Sequence, residues 1–191
     1  MNYVLFFIAL VVVGALYVMY LVLMRRKNAA LEALSGIDVQ LQLRADAIPN
    51  VLKIARRFLD HENKLMMDVT TLRTSMMRAY DPAQPTEVQA HLQAAAQLEG
   101  KVSQLIATLE NYPELKSDTV MLQAQQAYTD VEAHIAAARR FYNAAVTDLN
   151  TMAQTFPANL LANMAGITAL PFYRAAAVAR APIDADAYLT R

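Results

Sequence analysis

The sequence SDTVMLQAQQAYTDVEAHIAAARRFYNAAVTDLNTMAQT, residues 117–155, is the longest stretch of the chain that contains neither proline nor glycine. Its apolar side chains recur every three or four residues, which is the spacing of one face of an α-helix. At 1.5 Å per residue such a helix is about 55–60 Å long, long enough for shorter helices to bury their own apolar faces against it. The predicted buried face continues just past this stretch and consists of Val120, Ala124, Ala127, Val131, Ile135, Ala138, Tyr142, Ala145, Leu149, Met152 and Phe156.

Three further helical patterns precede this one and are separated by proline-containing turns. The turns lie at residues 80–85 and 111–116, and Pro49 marks a kink or the first turn of a new helix capped by Asp46. The pattern of residues 86–112 predicts a buried face that consists of Val88, Leu92, Ala95, Leu98, Val102, Leu105, Leu109 and Tyr112. Short connections between long helices favour antiparallel neighbours, so the predicted fold is an all-α, up-and-down helical bundle. A single extended coiled coil is disfavoured, because the prolines would leave apolar faces unburied.

The N-terminal block, residues 3–24, contains no charged side chain and is long enough to cross a hydrocarbon core of about 30 Å. Basic residues follow it at once and none precedes it, so the positive-inside rule predicts an external N-terminus and a cytoplasmic body. A cleaved signal peptide would have its charges before the block, and a buried core helix of this uniformity is unusual. The predicted span includes Tyr3, Phe7, Val12, Leu16, Leu21 and Met24, and the topology-determining residues are Arg25, Arg26 and Lys27. We therefore expect three regions: an anchor at 1–27, a body at 28–173 and a tail at 174–191.

The composition argues against several classes of function. Seventeen basic residues balance seventeen acidic ones, which gives no support for nucleic-acid binding, and the absence of cysteine excludes disulfides and thiolate chemistry. The histidines His61, His91 and His134 lack the spacing of a zinc or di-iron site, and Glu132 lies only two residues before His134. We therefore predict no enzymatic activity, no metal and no cofactor. An unrecognised enzyme site would require a polar pocket between helices around Arg44, Asp148 or His134.

One charged residue occupies a position where an apolar one is expected. Arg44 continues the pattern of Leu31, Leu34, Ile37, Leu41 and Ile48. A buried guanidinium needs compensating partners, and Asp148 is the candidate carboxylate. Alternatively, the side chain of Arg44 extends to solvent over its apolar neighbours.

No charged residue occurs between Leu149 and Tyr173, yet amides and prolines are scattered through this segment. These groups make a second membrane span unfavourable. The segment either folds over the end of the bundle, or contacts lipid headgroups or a neighbouring subunit, because a large apolar surface rarely remains exposed.

Three motifs resemble the signatures of the LemA family. They are IDVQLQLRADAIPN at residues 37–50, NYPELK at 111–116, and ARRFYN at 138–143 followed by Asn150 and FPAN at 156–159. The resemblance implies one N-terminal membrane span and a helical cytoplasmic domain, without known catalytic residues, and some relatives help to build internal membrane compartments such as magnetosomes. From the helical patterns and these motifs together we predict structural or interaction roles for Arg44, Asp46, Pro49, Asn50, Tyr112, Pro113, Arg140, Tyr142, Asn143, Asp148, Asn150, Phe156 and Pro157.

Taken together, these features predict a single-pass protein of the bacterial inner membrane that acts as a non-enzymatic, self-assembling scaffold. Its expected partners are membrane lipids and further copies of itself, with another membrane protein as a third possibility and no nucleic acid. The alternative is an adaptor that recruits a membrane protein such as a protease or a transporter.

Overall fold

The computed structural model describes residues 2–56, 62–109, 111–112 and 119–175. These residues form five α-helices and no β-strand: α1 (Asn2–Ala55), α2 (Asn63–Met76), α3 (Pro85–Leu109), α4 (Thr119–Gln154) and α5 (Ala158–Met164). The predicted all-helical fold is therefore confirmed for this part of the chain.

Helix α1 is unbroken over 54 residues and contains Pro49 in its interior. The alternative in which Asp46 caps a new helix is therefore wrong, and no break separates the predicted anchor from the body. Asp46 instead accepts a hydrogen bond from the side-chain amide of Gln42, one turn earlier (3.2 Å). Tight packing on both sides of the proline explains the continuity, because Ile48 and Val51 are both buried.

Most buried residues in α1 recur at spacings of four and three, which places them on one face of the helix, and Ala33, Ala45, Leu52 and Ile54 are buried beside that face. The packed face begins near the end of the apolar block, at Leu23. Its regular members are Ala30, Leu34, Ile37, Leu41, Arg44, Ile48, Val51 and Ala55.

The predicted buried face of residues 86–112 is confirmed at the seven positions in α3, from Val88 to Leu109, whereas Tyr112 beyond the end of α3 is only half-buried. In α4 the prediction holds at Ile135, Tyr142 and Leu149 but is wrong in the first half of the helix, and it is wrong at Phe156, which lies just beyond the helix and is exposed. There Val120 and Ala127 are exposed, and the neighbouring Met121 and Tyr128 are buried instead. Met121, Tyr128, Ile135, Tyr142 and Leu149 form a seven-residue repeat of buried positions, with Val146 buried beside it, whereas the predicted pattern shifted by one residue.

The chain packs as two units. Unit 1 comprises Met1–Leu41, Tyr80–Gln89 and Glu132–Phe172. In it α1 and α4 are antiparallel, since Arg26 pairs with Asp148 while Asp38, further along α1, lies near Tyr142, earlier in α4.

Unit 2 comprises Gln42–Ala79, Ala90–Val131 and Tyr173–Arg191. Here α2 and α3 are connected by an ion pair between Asp68 and Lys101 (3.1 Å). Arg73 of α2 and Ala95 of α3 both contact α1, at Ala45 and Arg44. Along α2, Asp68 precedes Arg73, whereas along α3 the residue at the level of Asp68, Lys101, follows Ala95. The two helices are therefore antiparallel.

One described helix, α1, is long and apolar enough to cross a membrane. Its most apolar 18-residue window has a mean hydropathy of 2.7, and none of that window is buried within the protein. The structure therefore provides one candidate membrane span, at the position that the sequence predicted.

Candidate functional site

Arg44 is the one charged residue among the described residues whose side chain is buried; its exposure is 0 %. Its guanidinium donates a hydrogen bond to the backbone carbonyl of Ala95 on α3 (3.1 Å). This bond links α1 to α3 within unit 2. The alternative in which Arg44 extends into solvent is therefore wrong.

The predicted partner of Arg44 has a different role. The carboxylate of Asp148 pairs with Arg26 of α1, and both side chains are about half exposed, at 53% and 48%. The proposed pair of Arg44 and Asp148 is therefore not formed. Arg26, predicted only as a determinant of topology, also connects α1 to α4 in unit 1.

A second polar contact in unit 2 involves the carbonyl group four residues before Pro49. In a regular helix the N–H of residue 49 would donate to the carbonyl of residue 45, but proline has no N–H. The Nε–H of Arg73 on α2 donates to the carbonyl of Ala45 instead, at 2.7 Å. No sequence motif singles out Arg73. The signal that could have found it is the carbonyl left without its helical donor four residues before a proline.

Asn150 and Tyr142 on α4 hold the segment that follows α5. The amide of Asn150 donates to the carbonyl of Leu170 and accepts from its N–H, both at 2.9 Å. The hydroxyl of Tyr142 donates to the carbonyl of Pro171 at 2.8 Å. Because Leu170 is also buried, the end of the uncharged segment folds onto α4, as the first of its two alternatives predicted.

Gly166 allows the chain to turn back after α5. Its φ of +62° lies in the left-handed region, which glycine adopts without the steric cost that a Cβ imposes. The N–H of Ile167 then donates to the carbonyl of Ala162 (2.9 Å), which closes the end of α5.

Two tyrosines of unit 1 have perturbed acidities. Burial raises the pKa of the Tyr80 phenol, and its hydrogen bond to the Asp38 carboxylate (2.7 Å) raises it further. Burial also raises the pKa of the Tyr142 phenol, with a smaller contribution from the negative charge of Asp38. Both phenols therefore act as hydrogen-bond donors at neutral pH.

An open groove of about 460 Å³ lies between the end of the apolar part of α1 and the end of α4. Met19, Val22 and Arg26 form one wall. The opposite wall consists of Asp148, Thr151, Met152, Thr155, Phe156, Pro157 and Ala158.

The remaining predicted residues are distributed between surface and interior. Asp46, Asn50, Arg140, Arg25 and the side chain of Phe156 are exposed, whereas Tyr112, Asn143, Pro157, Met24 and Lys27 are half-buried. Of the span residues, Tyr3, Phe7, Val12, Leu16 and Leu21 are exposed. Pro113, His61 and most of the tail from 174 onward lie outside the described residues.

Within the described part of the chain, no group of three or more His, Cys, Asp or Glu side chains could hold a metal ion. His134 is exposed and His91 half-buried. The polar contacts of Arg44 and Arg73 connect helices, and those of Tyr142 and Asn150 hold the segment after α5.

Two comparisons relate these features to known proteins. A model of the LemA family matches residues 33–186. A relative described as Protein LemA, from Metamycoplasma hominis, is 25% identical over 187 residues, which cover 95% of this chain and 82% of the relative. The matched range spans all three motifs, and the resemblance to the family is confirmed.

Proposed function

Because the chain belongs to the LemA family and α1 carries a candidate membrane span, we propose that it is a non-enzymatic scaffold of the bacterial inner membrane. Residues 3–24 anchor it, the N-terminus lies outside and the helical body lies in the cytoplasm. Copies of the chain associate laterally and organise or shape the membrane around them.

The observation that carries this proposal is the continuity of α1. One helix contains both the exposed apolar block and the buried residues from Leu23 to Ala55. An exposed apolar surface of this length has no stable place in water, and a bilayer is the environment that buries it. Arg25, Arg26 and Lys27 directly after the block favour a cytoplasmic body.

Self-association follows from the anchor and from the surface of the body. Anchoring confines the chains to two dimensions and raises their effective concentration, so weak lateral contacts are sufficient for assembly. Large apolar side chains remain exposed on the body, among them Val39 on α1 and Leu122 on α4. These side chains offer area for contacts between copies.

Orientation is tested with single cysteines, which the cysteine-free chain allows without background labelling. A membrane-impermeant maleimide should label Asn2→Cys in cells whose outer envelope layers are permeabilised while the inner membrane remains intact. The control Ala133→Cys, at an exposed position of α4, should react only after the inner membrane is broken. Labelling of Ala133→Cys before Asn2→Cys would reverse the proposed topology.

Assembly is tested by imaging the detergent-extracted full-length protein and by measuring its mass. A uniform particle containing many copies supports the scaffold. A monomer that co-purifies with one other membrane protein overturns it in favour of an adaptor. A particle that retains its size on dilution in several detergents would exclude micelle packing as the cause of association.

A further inference from the structure

The freely exposed part of the candidate span is shorter than a bilayer. From Tyr3 to Val18 every side chain is exposed, but Met19 and Val22 are half-buried and Leu23 is fully buried. Sixteen residues of helix span about 24 Å, against a hydrocarbon core of about 30 Å. The remaining hydrocarbon thickness of about 6 Å must therefore be crossed by the part of α1 around Met19 and Val22, which already packs against other residues of unit 1.

The residues that cover this part of α1 belong to the connection between α4 and α5. Met19 and Val22 share the groove with Phe156, Pro157 and Ala158. When Met19 and Val22 lie in the hydrocarbon core, this connection lies beside them at the edge of the membrane.

The surface of this connection and of α5 suits such a position. Phe156 in the connection is 76% exposed, and Leu160 and Met164, which share one face of α5, are 55% and 84% exposed. The whole segment from Leu149 to Tyr173 is uncharged, so its insertion requires no burial of charge. Apolar residues of interfacial helices enter the boundary between headgroups and acyl chains by about 5–10 Å.

We propose that the α4–α5 connection and α5 form a second membrane contact, in which Phe156, Leu160 and Met164 insert into the lipid beside α1. The inference rests on the proposed membrane anchoring. We assign lipid, and not a second copy of the chain, as the partner of this surface. The exposed part of the span is too short to cross the bilayer, so this surface lies at the depth of the bilayer boundary.

The test uses full-length protein in vesicles of phosphatidylethanolamine and phosphatidylglycerol, with single cysteines carrying a polarity-sensitive fluorophore. The variants are Phe156→Cys and Leu160→Cys in the proposed contact, and Val12→Cys in the span. The matched control is Phe141→Cys, which replaces another exposed phenylalanine, about 20 Å along α4 from the end of that helix. Helix content measured by circular dichroism verifies that each variant is folded.

We expect lipids with brominated acyl chains to quench the labels at Val12, Phe156 and Leu160 but not the label at Phe141. Iodide in the aqueous phase should quench only the label at Phe141. If the label at Val12 is quenched by lipid and both labels of the proposed contact are quenched by iodide alone, the second contact is refuted while the anchor stands.

Protection of the contact labels from both quenchers, increasing with protein density in the vesicle, would assign the surface to a second copy and also refute the proposal. If the label at Val12 escapes lipid quenching, the anchor itself fails, and the inference fails with it.

Discussion

Replacing Arg73 should destabilise the natural chain more than it destabilises a chain whose Pro49 is replaced by alanine. In the natural chain the Nε–H of Arg73 is the donor to the Ala45 carbonyl at 2.7 Å, and Ala45 is fully buried. In the Pro49→Ala background a backbone N–H at position 49 supplies the regular helical donor to the same carbonyl. The effect of Arg73→Met therefore depends on the residue at position 49.

The magnitude follows from the type of hydrogen bond. A bond from a charged donor contributes about 1.5–3 kcal/mol, and its loss leaves a buried carbonyl without a donor. The packing of the Arg73 side chain is lost in both backgrounds and cancels in the comparison. We expect a coupling free energy of about 1–2 kcal/mol between the two positions. The single variant Pro49→Ala should raise the free energy of unfolding, because a proline inside a helix costs about 3 kcal/mol.

The assay is denaturant unfolding of the full-length protein in detergent, followed by circular dichroism, for the natural chain, both single variants and the double variant. The control cycle combines Pro49→Ala with Arg78→Met, because Arg78 is exposed just after α2. Its effects should add to within about 0.5 kcal/mol. If the Arg73 cycle is equally additive, Arg73 does not compensate for the proline.

Three further predictions concern unit 1. Asn150→Ala should lower stability by about 2 kcal/mol through two lost hydrogen bonds and expose the segment after α5 to protease, whereas Asn163→Ala, at an exposed position, should do neither. Equal protease sensitivity of the two variants would contradict this role. The raised pKa of Tyr80 means that above about pH 10 the unfolded chain releases a proton that the folded chain keeps, so stability falls as the pH rises. Tyr80→Phe should flatten that decline in unfolding experiments at a series of pH values, and an unchanged slope would exclude Tyr80 as its source. Asp148→Asn should cost less than about 1 kcal/mol, and less still in high salt, because its pair with Arg26 is half exposed. A loss that persists in high salt would show a larger role for the pair.

The helical fold could be predicted from the spacing of apolar residues. The prediction was less accurate about which face of each helix is buried. In α3 large aliphatic residues occupy a single face, and all seven predicted positions are buried. In the first half of α4 two faces compete, one through Val120 and Ala127 and the other through Met121 and Tyr128. The second face is the buried one, and it continues the seven-residue repeat of Ile135 and Tyr142. The two faces differ by only one residue in position, so apolar spacing alone does not show which of them is buried.

The polar contacts were harder to predict, because they join positions that no sequence period relates. The motifs singled out Tyr142 and Asn150, but their partners are backbone groups of Pro171 and Leu170, 20 to 29 residues later in a non-helical segment. Arg44 was assigned a carboxylate because the sequence shows only side chains, and its acceptor on Ala95 is a backbone carbonyl.

The regular spacing in α1 restricts how its length can change. The exposed apolar block and the packed face of Ala30, Ile37 and Val51 are parts of the same helix. One residue inserted between them would turn every earlier side chain by about 100°, whereas seven inserted residues would turn them by only about 20° and lengthen the helix by about 10 Å. Variants of this protein with a longer or shorter membrane-proximal helix are therefore expected to differ by whole heptads.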